Sequence, residues 1–200
     1  MDRVLAVIFG LMGVGKTTVA RALAQARDWP VIHSDRVRKD LAGLDPTTPA
    51  PFEFGQGIYS EDFSRRTYQE IRRQAGELLE QGTAGVILDA SFKSARERTR
   101  IRDLARKKGA RAVFIYCYCS PEVVQERLLQ RADKAGAISD GRPELLDLQI
   151  KDFDPLTGAD QPLLKVDTGR ELAAVLQEIT GFLDNFISIG RDLNSGRKQD

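Results

Sequence analysis

Gly10-Leu11-Met12-Gly13-Val14-Gly15-Lys16-Thr17 fits the pattern G-x-x-x-x-G-K-[ST] at every fixed position, and a further threonine, Thr18, follows directly. What flanks the stretch decides the fold. Val4 to Phe9 (VLAVIF) is an uninterrupted apolar run, as expected of a strand buried on both faces. Behind the motif, TTVARALAQAR is rich in alanine and leucine and reads as a helix. Strand, glycine turn and helix N-terminus together make an anion site. Gly10, Gly13 and Gly15 let the backbone around Val14 curl its N–H groups inward, and the helix end adds partial positive charge. On this reading Lys16 reaches the β- and γ-phosphates of a nucleotide, and the Thr17 hydroxyl, with Thr18 beside it, holds Mg²⁺. The alternative is a plain strand-to-helix turn with an exposed lysine.

The chain has 200 residues, enough for one α/β domain, which the pattern places at 1–189. Its 30 basic and 29 acidic residues nearly cancel, so bulk charge favours neither a nucleic acid nor a membrane. The only two cysteines, Cys117 and Cys119, lie two apart in an apparent strand. They cannot build a disulfide framework, they read as core, and a reducing cytoplasm is the expected location. The apolar N-terminus imitates a secretory signal, but Asp2 and Lys16 break that pattern, and no other segment approaches the ~20 apolar residues of a membrane span. Nothing calls for an obligate protein partner.

Further strands are expected at Val31 to His33, Gly85 to Ala90, Arg111 to Cys119 and Leu163 to Val166. Helices are expected after a cap at Ser34-Asp35, from Ser60 to Gln81, from Ser94 to Lys108, from Ser120-Pro121 through VVQERLLQRADKAG, at PELLDLQI, and from Arg170 to Phe186. A Pro- and Gly-punctuated loop covers Gly43 to Tyr59, and the tail from Gly190 is polar and expected to be disordered. Five apolar strands alternating with helices mean a parallel sheet covered on both faces, with ligands beyond the C-terminal strand ends.

The candidate chemistry sits at those ends. Asp35 follows strand two and could orient or deprotonate a hydroxyl acceptor; as a bland alternative it caps a helix. Arg38, three residues on, could hold Asp35 or an anionic group of the acceptor. Asp89 closes strand three and needs a partner, either a magnesium shell or a charge such as Arg38. Arg127 and Arg131, spaced i, i+4, could clamp ATP at its base and phosphates, or form surface pairs with Glu122 and Glu126. Arg142 lies in a glycine-punctuated segment with the character of a lid. The lone histidine, His33, excludes a histidine dyad by count and either lines the pocket or ends its strand.

GLMGVGKTT, HSDRVRK, VILDASF, the RLLQR helix and the late KVDT strand resemble the small P-loop kinases: polynucleotide 5′-hydroxyl kinases, zeta-toxin-like sugar-nucleotide kinases, and gluconate-kinase-like and antibiotic kinases. The resemblance covers nearly the whole chain up to the tail. It is closest to bacterial kinases that also occur fused behind an aminoglycoside-phosphotransferase-like domain. It implies a P-loop NTPase three-layer sandwich with a five-stranded parallel sheet of order 2-3-1-4-5 and a small lid. It also implies an ATP- and Mg²⁺-dependent kinase acting on a hydroxyl. Lys16 and Thr17 match the phosphate and magnesium residues, Asp35 and Arg38 the S-D-x-x-R base and its arginine, Arg127 and Arg131 the lid-helix arginines; the segment around Asp167 would border the adenine. The DASF motif departs from the asparagine-rich version of the polynucleotide kinases, which points to a small-molecule acceptor. A polynucleotide 5′-hydroxyl substrate, and a nucleotide switch without any acceptor, stand as alternatives.

Overall fold

In the computed structural model, residues 3–45, 56–132 and 146–196 are described, with side chains described as far as 130 in the first of the two interrupted helices and 190 in the last helix. The centre is β1 (Arg3–Phe9), paired in parallel with β3 (Gly85–Asp89) on one side and β4 (Ala110–Tyr118) on the other. The edges are β2 (Val31–His33) and β5 (Leu163–Asp167), giving the order β2-β3-β1-β4-β5. This is the arrangement the sequence implied.

A strand shows alternate side chains to opposite faces, and β1 uses both. Val4, Ala6 and Ile8 join one core with helices α1 (Lys16–Arg27), α5 (Pro121–Ala132) and α7 (Leu172–Gly196). Leu5, Val7 and Phe9 join the other with α2 (Ser34–Leu41), α3 (Glu61–Glu80) and α4 (Ala95–Lys107). Every residue from Val4 to Phe9 is 0% exposed, which explains the unbroken apolar run. At the N-terminal edge of the sheet the Trp29 ring lies flat over Gly85, where a Cβ would come within 2.3 Å of it.

Three expectations are corrected. Neither Ser34 nor Asp35 caps α2: the helix already includes Ser34, and its N-cap is His33, with no side-chain cap bond. Cys117 is core, its thiol pushed up to about 12 by burial, but Cys119 is only partly buried and lies 3.7 Å from Arg127 Nη1. The final helix does not end at Phe186 but runs to Gly196, through the start of the supposed tail. Gly190 is no terminator there. It lets the helix pass over the Arg111 guanidinium, which donates to Phe186 O and stacks on the Phe186 ring at 4.0 Å. The stretch Leu172–Gly190 is also, among the described residues, the one helix long and apolar enough by length and composition to cross a membrane. Here its Val175, Ile179 and Leu183 pack into the core, and Arg27 pairs with Asp184 at 2.8 Å.

Candidate functional site

The site gathers at the C-terminal ends of β1, β2, β3 and β4. Gly10, Gly13 and Gly15 all have positive φ, at 142°, 76° and 89°. At Gly10 the requirement is also spatial, since a Cβ would sit 2.2 Å from Cys117 O; at Gly15, the left-handed N-cap of α1, it would crowd Arg127 Nη1 at 3.1 Å. Lys16 begins α1 and folds back over the loop, donating to Leu11 O at 2.7 Å. The N–H of Met12 donates to Gln149 Oε1 at 2.6 Å.

Thr17 lies one residue into α1, and its hydroxyl donates to Asp89 Oδ2 at 2.8 Å. His33 Nδ1 meets the same carboxylate oxygen at 2.8 Å. Asp89 is 5% exposed, so these two bonds answer its desolvation. Its partners are thus Thr17 and His33 rather than Arg38. The hydroxyl proton is spent on Asp89, which leaves the Thr17 lone pairs and Asp89 Oδ1 available. Two hard oxygens of this kind suit Mg²⁺, which keeps several waters and takes its remaining ligands from substrate phosphates. Among the described residues no group of three or more His, Cys, Asp or Glu side chains is placed to hold a metal.

On the β2 side, α2 carries Asp35, partly buried in its first turn, and Arg38, which is 8% exposed. Arg38 donates to Ile58 O and to Ser64 Oγ (3.2 Å) and lies 5.0 Å above the Tyr59 ring, while its Nε is buried with no hydrogen-bond partner among the described residues. The Gly43 to Tyr59 loop therefore reaches the site at its end, but its residues 46–55 lie outside the described residues.

Behind the glycine loop a cleft of about 400 Å³ opens between α1, α5 and the turn after β5, lined by Gly15, Thr18, Arg127, Thr168, Gly169 and Val175. Arg127 Nη2 donates to Thr168 O at 2.7 Å, which fixes the guanidinium at the mouth of the cleft rather than in a surface pair. The Thr168 hydroxyl sits against Val14 O and Tyr118 O and can donate to one at a time. Asp167 Oδ1 accepts from Gly169 N at 2.8 Å, so this carboxylate builds the turn that borders the cleft. The Arg131 side chain, and Arg142 with the segment 133–145, lie outside the described residues.

Sequence reasoning missed three groups. Tyr68, on α3, accepts from Phe92 N and bonds Ser91 Oγ, both at 3.1 Å; burial raises its phenol pKa, and the Ser91 bond offsets that in part. These bonds hold Phe92 at a positive φ of 39°, just past Asp89. Arg98, 0% exposed, ties that turn to Asp154, Pro155 and Asp160. Gln149 is the third. An amphipathic helix with scattered polar residues gives no signal for any of them, and the positive φ of Phe92 that Tyr68 supports is not announced by the residues around it.

The AAA domain family matches residues 5–156. An uncharacterized protein of Mycobacterium tuberculosis is 33% identical over 141 residues, 70% of this chain but 28% of its own length, so the chain spans little more than a quarter of that relative. A shikimate kinase of Moorella thermoacetica is 29% identical over 185 residues, covering 86% of this chain and 90% of its own. The solved structure of a gluconokinase from Sinorhizobium meliloti 1021 shares the fold with a TM-score of 0.64 at 20% identity, over 92% of this chain and 93% of the other. With its glycine loop, its strand order and the match across three quarters of its length, the chain belongs to the AAA domain family and shares its fold with small P-loop kinases.

Proposed function

We propose that the chain transfers the γ-phosphoryl group of ATP, carried with Mg²⁺, to a hydroxyl of a small molecule. The observation that carries this reading is the convergence of Lys16, Thr17 and Asp89 on one end of the sheet, with Asp35 on the neighbouring strand end. Lys16 and the loop N–H groups neutralise charge growing on the β–γ bridge, and Arg127 holds the base end of the nucleotide in its cleft. Thr17 and Asp89 hold the magnesium, which shields the phosphate oxygens when bound. Asp35 takes the proton as the acceptor O–H breaks. The acceptor oxygen bonds to phosphorus while the bond to the bridging oxygen breaks, and its electron pair leaves with ADP. Arg131 spans the phosphates in this reading, and Arg38 steadies the acceptor.

A small acceptor fits better than a polynucleotide, because the basic residues of α3 are largely answered. Arg72 pairs with Glu97, Arg73 with Glu70 and Glu77, and Arg65 with Asp62. The gluconokinase and shikimate kinase likenesses support the same choice. The free thiols of Cys117 and Cys119 support a cytoplasmic location, where cysteines stay reduced.

The test is a thermal-shift and ATP-consumption screen against pooled sugars, nucleosides, antibiotics and 5′-hydroxyl oligonucleotides. ATP with Mg²⁺ at a hundredfold its Kd should stabilise the wild type by about 2.7 kcal/mol. Lys16→Ala should lose most of that gain. An equal melting response in both proteins would end the nucleotide reading, and turnover only with the oligonucleotides would transfer the activity to the polynucleotide class.

A further inference from the structure

His33 and Asp89 stand opposite one another in the sheet. β2 and β3 pair in parallel with Val31 against Ile87, Ile32 against Leu88 and His33 against Asp89. Neighbours in register show their side chains to the same face. Here the imidazole Nδ1 lies 2.8 Å from Asp89 Oδ2. The carboxylate side chain is 5% exposed and the histidine 17%, so the bond is mostly screened from water. A carboxylate oxygen accepts; the proton of this bond therefore sits on Nδ1, which donates.

The same oxygen accepts from the Thr17 hydroxyl at 2.8 Å. The two donors differ in what an entering nucleotide requires of them. Thr17 lies on α1 at the end of the phosphate loop, and its oxygen is the one that would face a cation. His33 is fixed by the sheet on one side and by α2, whose N-cap it is, on the other. Nothing in the proposed reaction requires it to move. Gln149 on helix α6 (Leu146–Lys151) is taken by Met12 N, and Arg38 by Ile58 O and Ser64 Oγ, so neither answers Asp89. With Oδ2 held by two donors, Oδ1 is the oxygen left for a ligand. Outer partners of this kind orient a metal-binding group and tune its affinity.

Resting on the kinase reading above, we propose that His33 is a positioning residue for the magnesium that accompanies the nucleotide: its Nδ1–H pins Asp89 Oδ2, and Oδ1 is thereby turned to the cation or to one of its waters. The imidazole acts through Asp89 and exchanges no proton in the transfer.

Titration calorimetry tests this by measuring the Kd of ATP over a series of Mg²⁺ concentrations and in EDTA, for wild type, His33→Asn, His33→Gln and His33→Leu. Asparagine sets an amide N–H near the place of Nδ1, glutamine carries its amide further out to the place of Nε2, and leucine has no donor. In the glutamine and leucine variants the Mg²⁺ concentration for half-maximal ATP binding should rise roughly 10- to 100-fold, the usual effect of losing an outer partner. His33→Asn should stay within about threefold of wild type. ATP in EDTA should bind all of these proteins alike. If His33→Leu does not fold, the comparison of asparagine with glutamine decides the matter. An unshifted Mg²⁺ titration in the glutamine and leucine variants, or a loss in His33→Asn as large as in His33→Gln, would overturn the assignment. Equal weakening with Mg²⁺ and in EDTA would likewise reduce His33 to a packing residue. Wild-type protein that binds ATP under neither condition would instead end the kinase reading, and this inference with it.

Discussion

Replacing Arg98 with methionine should remove the clamp that ties the turn after Asp89 to the segment after α6. The guanidinium is wholly buried and donates to Asp160 Oδ1 (2.7 Å), Phe92 O (2.9 Å), Lys93 O (3.1 Å), Pro155 O (3.1 Å) and Asp154 O (3.2 Å). Methionine fills much of the same space but leaves Asp160, 4% exposed, with only its bond from Thr157 N at 2.8 Å among the described residues. Stranding one member of a buried ion pair costs about 3–5 kcal/mol. The four carbonyls add less than their number suggests, because Asp154 and Pro155 are exposed and water can replace the arginine there. The expected loss is therefore about 4 kcal/mol, or roughly 8–16 °C in Tm for a chain of this size. Urea denaturation followed by far-ultraviolet circular dichroism measures it. The double variant Arg98→Met/Asp160→Leu removes both charges and should fall short of the summed single losses by more than about 1.5 kcal/mol. A single-variant loss below about 1 kcal/mol, or strict additivity in the double, would refute the clamp.

Asp35→Asn should bind ATP with Mg²⁺ as wild type does yet phosphorylate the acceptor roughly 10²–10⁴ times more slowly; transfer at the wild-type rate in a coupled assay would remove Asp35 from the chemistry. Thr17→Val keeps the shape of the side chain but loses the hydroxyl that bonds Asp89, so the Mg²⁺ concentration for half-maximal ATP binding should rise several-fold, and stability should fall by about 1–3 kcal/mol because the buried carboxylate loses a donor; an unshifted Mg²⁺ titration contradicts the metal assignment. Burial raises the Asp160 pKa, but the bonds from Arg98 and Thr157 outweigh it and hold the carboxyl below its ordinary value. Its contribution to stability is thus fully present above the unfolded carboxylate value near pH ~3.9 and is lost as pH falls through the lower folded value. Asp160→Asn should accordingly flatten the stability profile below about pH 4, and an acid limb as steep as the wild type's would show that other carboxylates set it.

The parts of the fold visible in the sequence were those with strong local signatures. The unbroken run in β1 reflects burial on both faces, and the glycine loop is legible because positive φ and close backbone approach leave few other residues possible. Asp89 was legible as a charge closing an apolar strand, but its partners were not: His33 arrives from 56 residues away and Thr17 from 72. Gln149 and Arg98 were hidden for the same reason. Their importance comes from contacts 137 and 62 residues distant, and on their own helices they look like ordinary polar positions. The polar composition from Gly190 onward misled, because it suggested a disordered tail where the helix in fact continues to Gly196 and Gly190 makes room for Arg111. Asp35 looked like a cap since its neighbour Ser34 and the following helix have cap chemistry, yet the chain turns helical one residue sooner.

The placement of Trp29 over Gly85 has a consequence for spectroscopy. Trp29 is the only tryptophan in the chain, is 9% exposed, and has the Arg27 guanidinium 5.9 Å from its ring centre. It sits past the far end of α1, whose twelve residues separate it from the glycine loop by about 18 Å of helix. Its emission should therefore change when the base of the sheet comes apart and stay nearly constant under a nucleotide titration at the opposite edge. Trp29 is thus suited to report unfolding, and a titration of the proposed nucleotide site calls for a dye on the nucleotide.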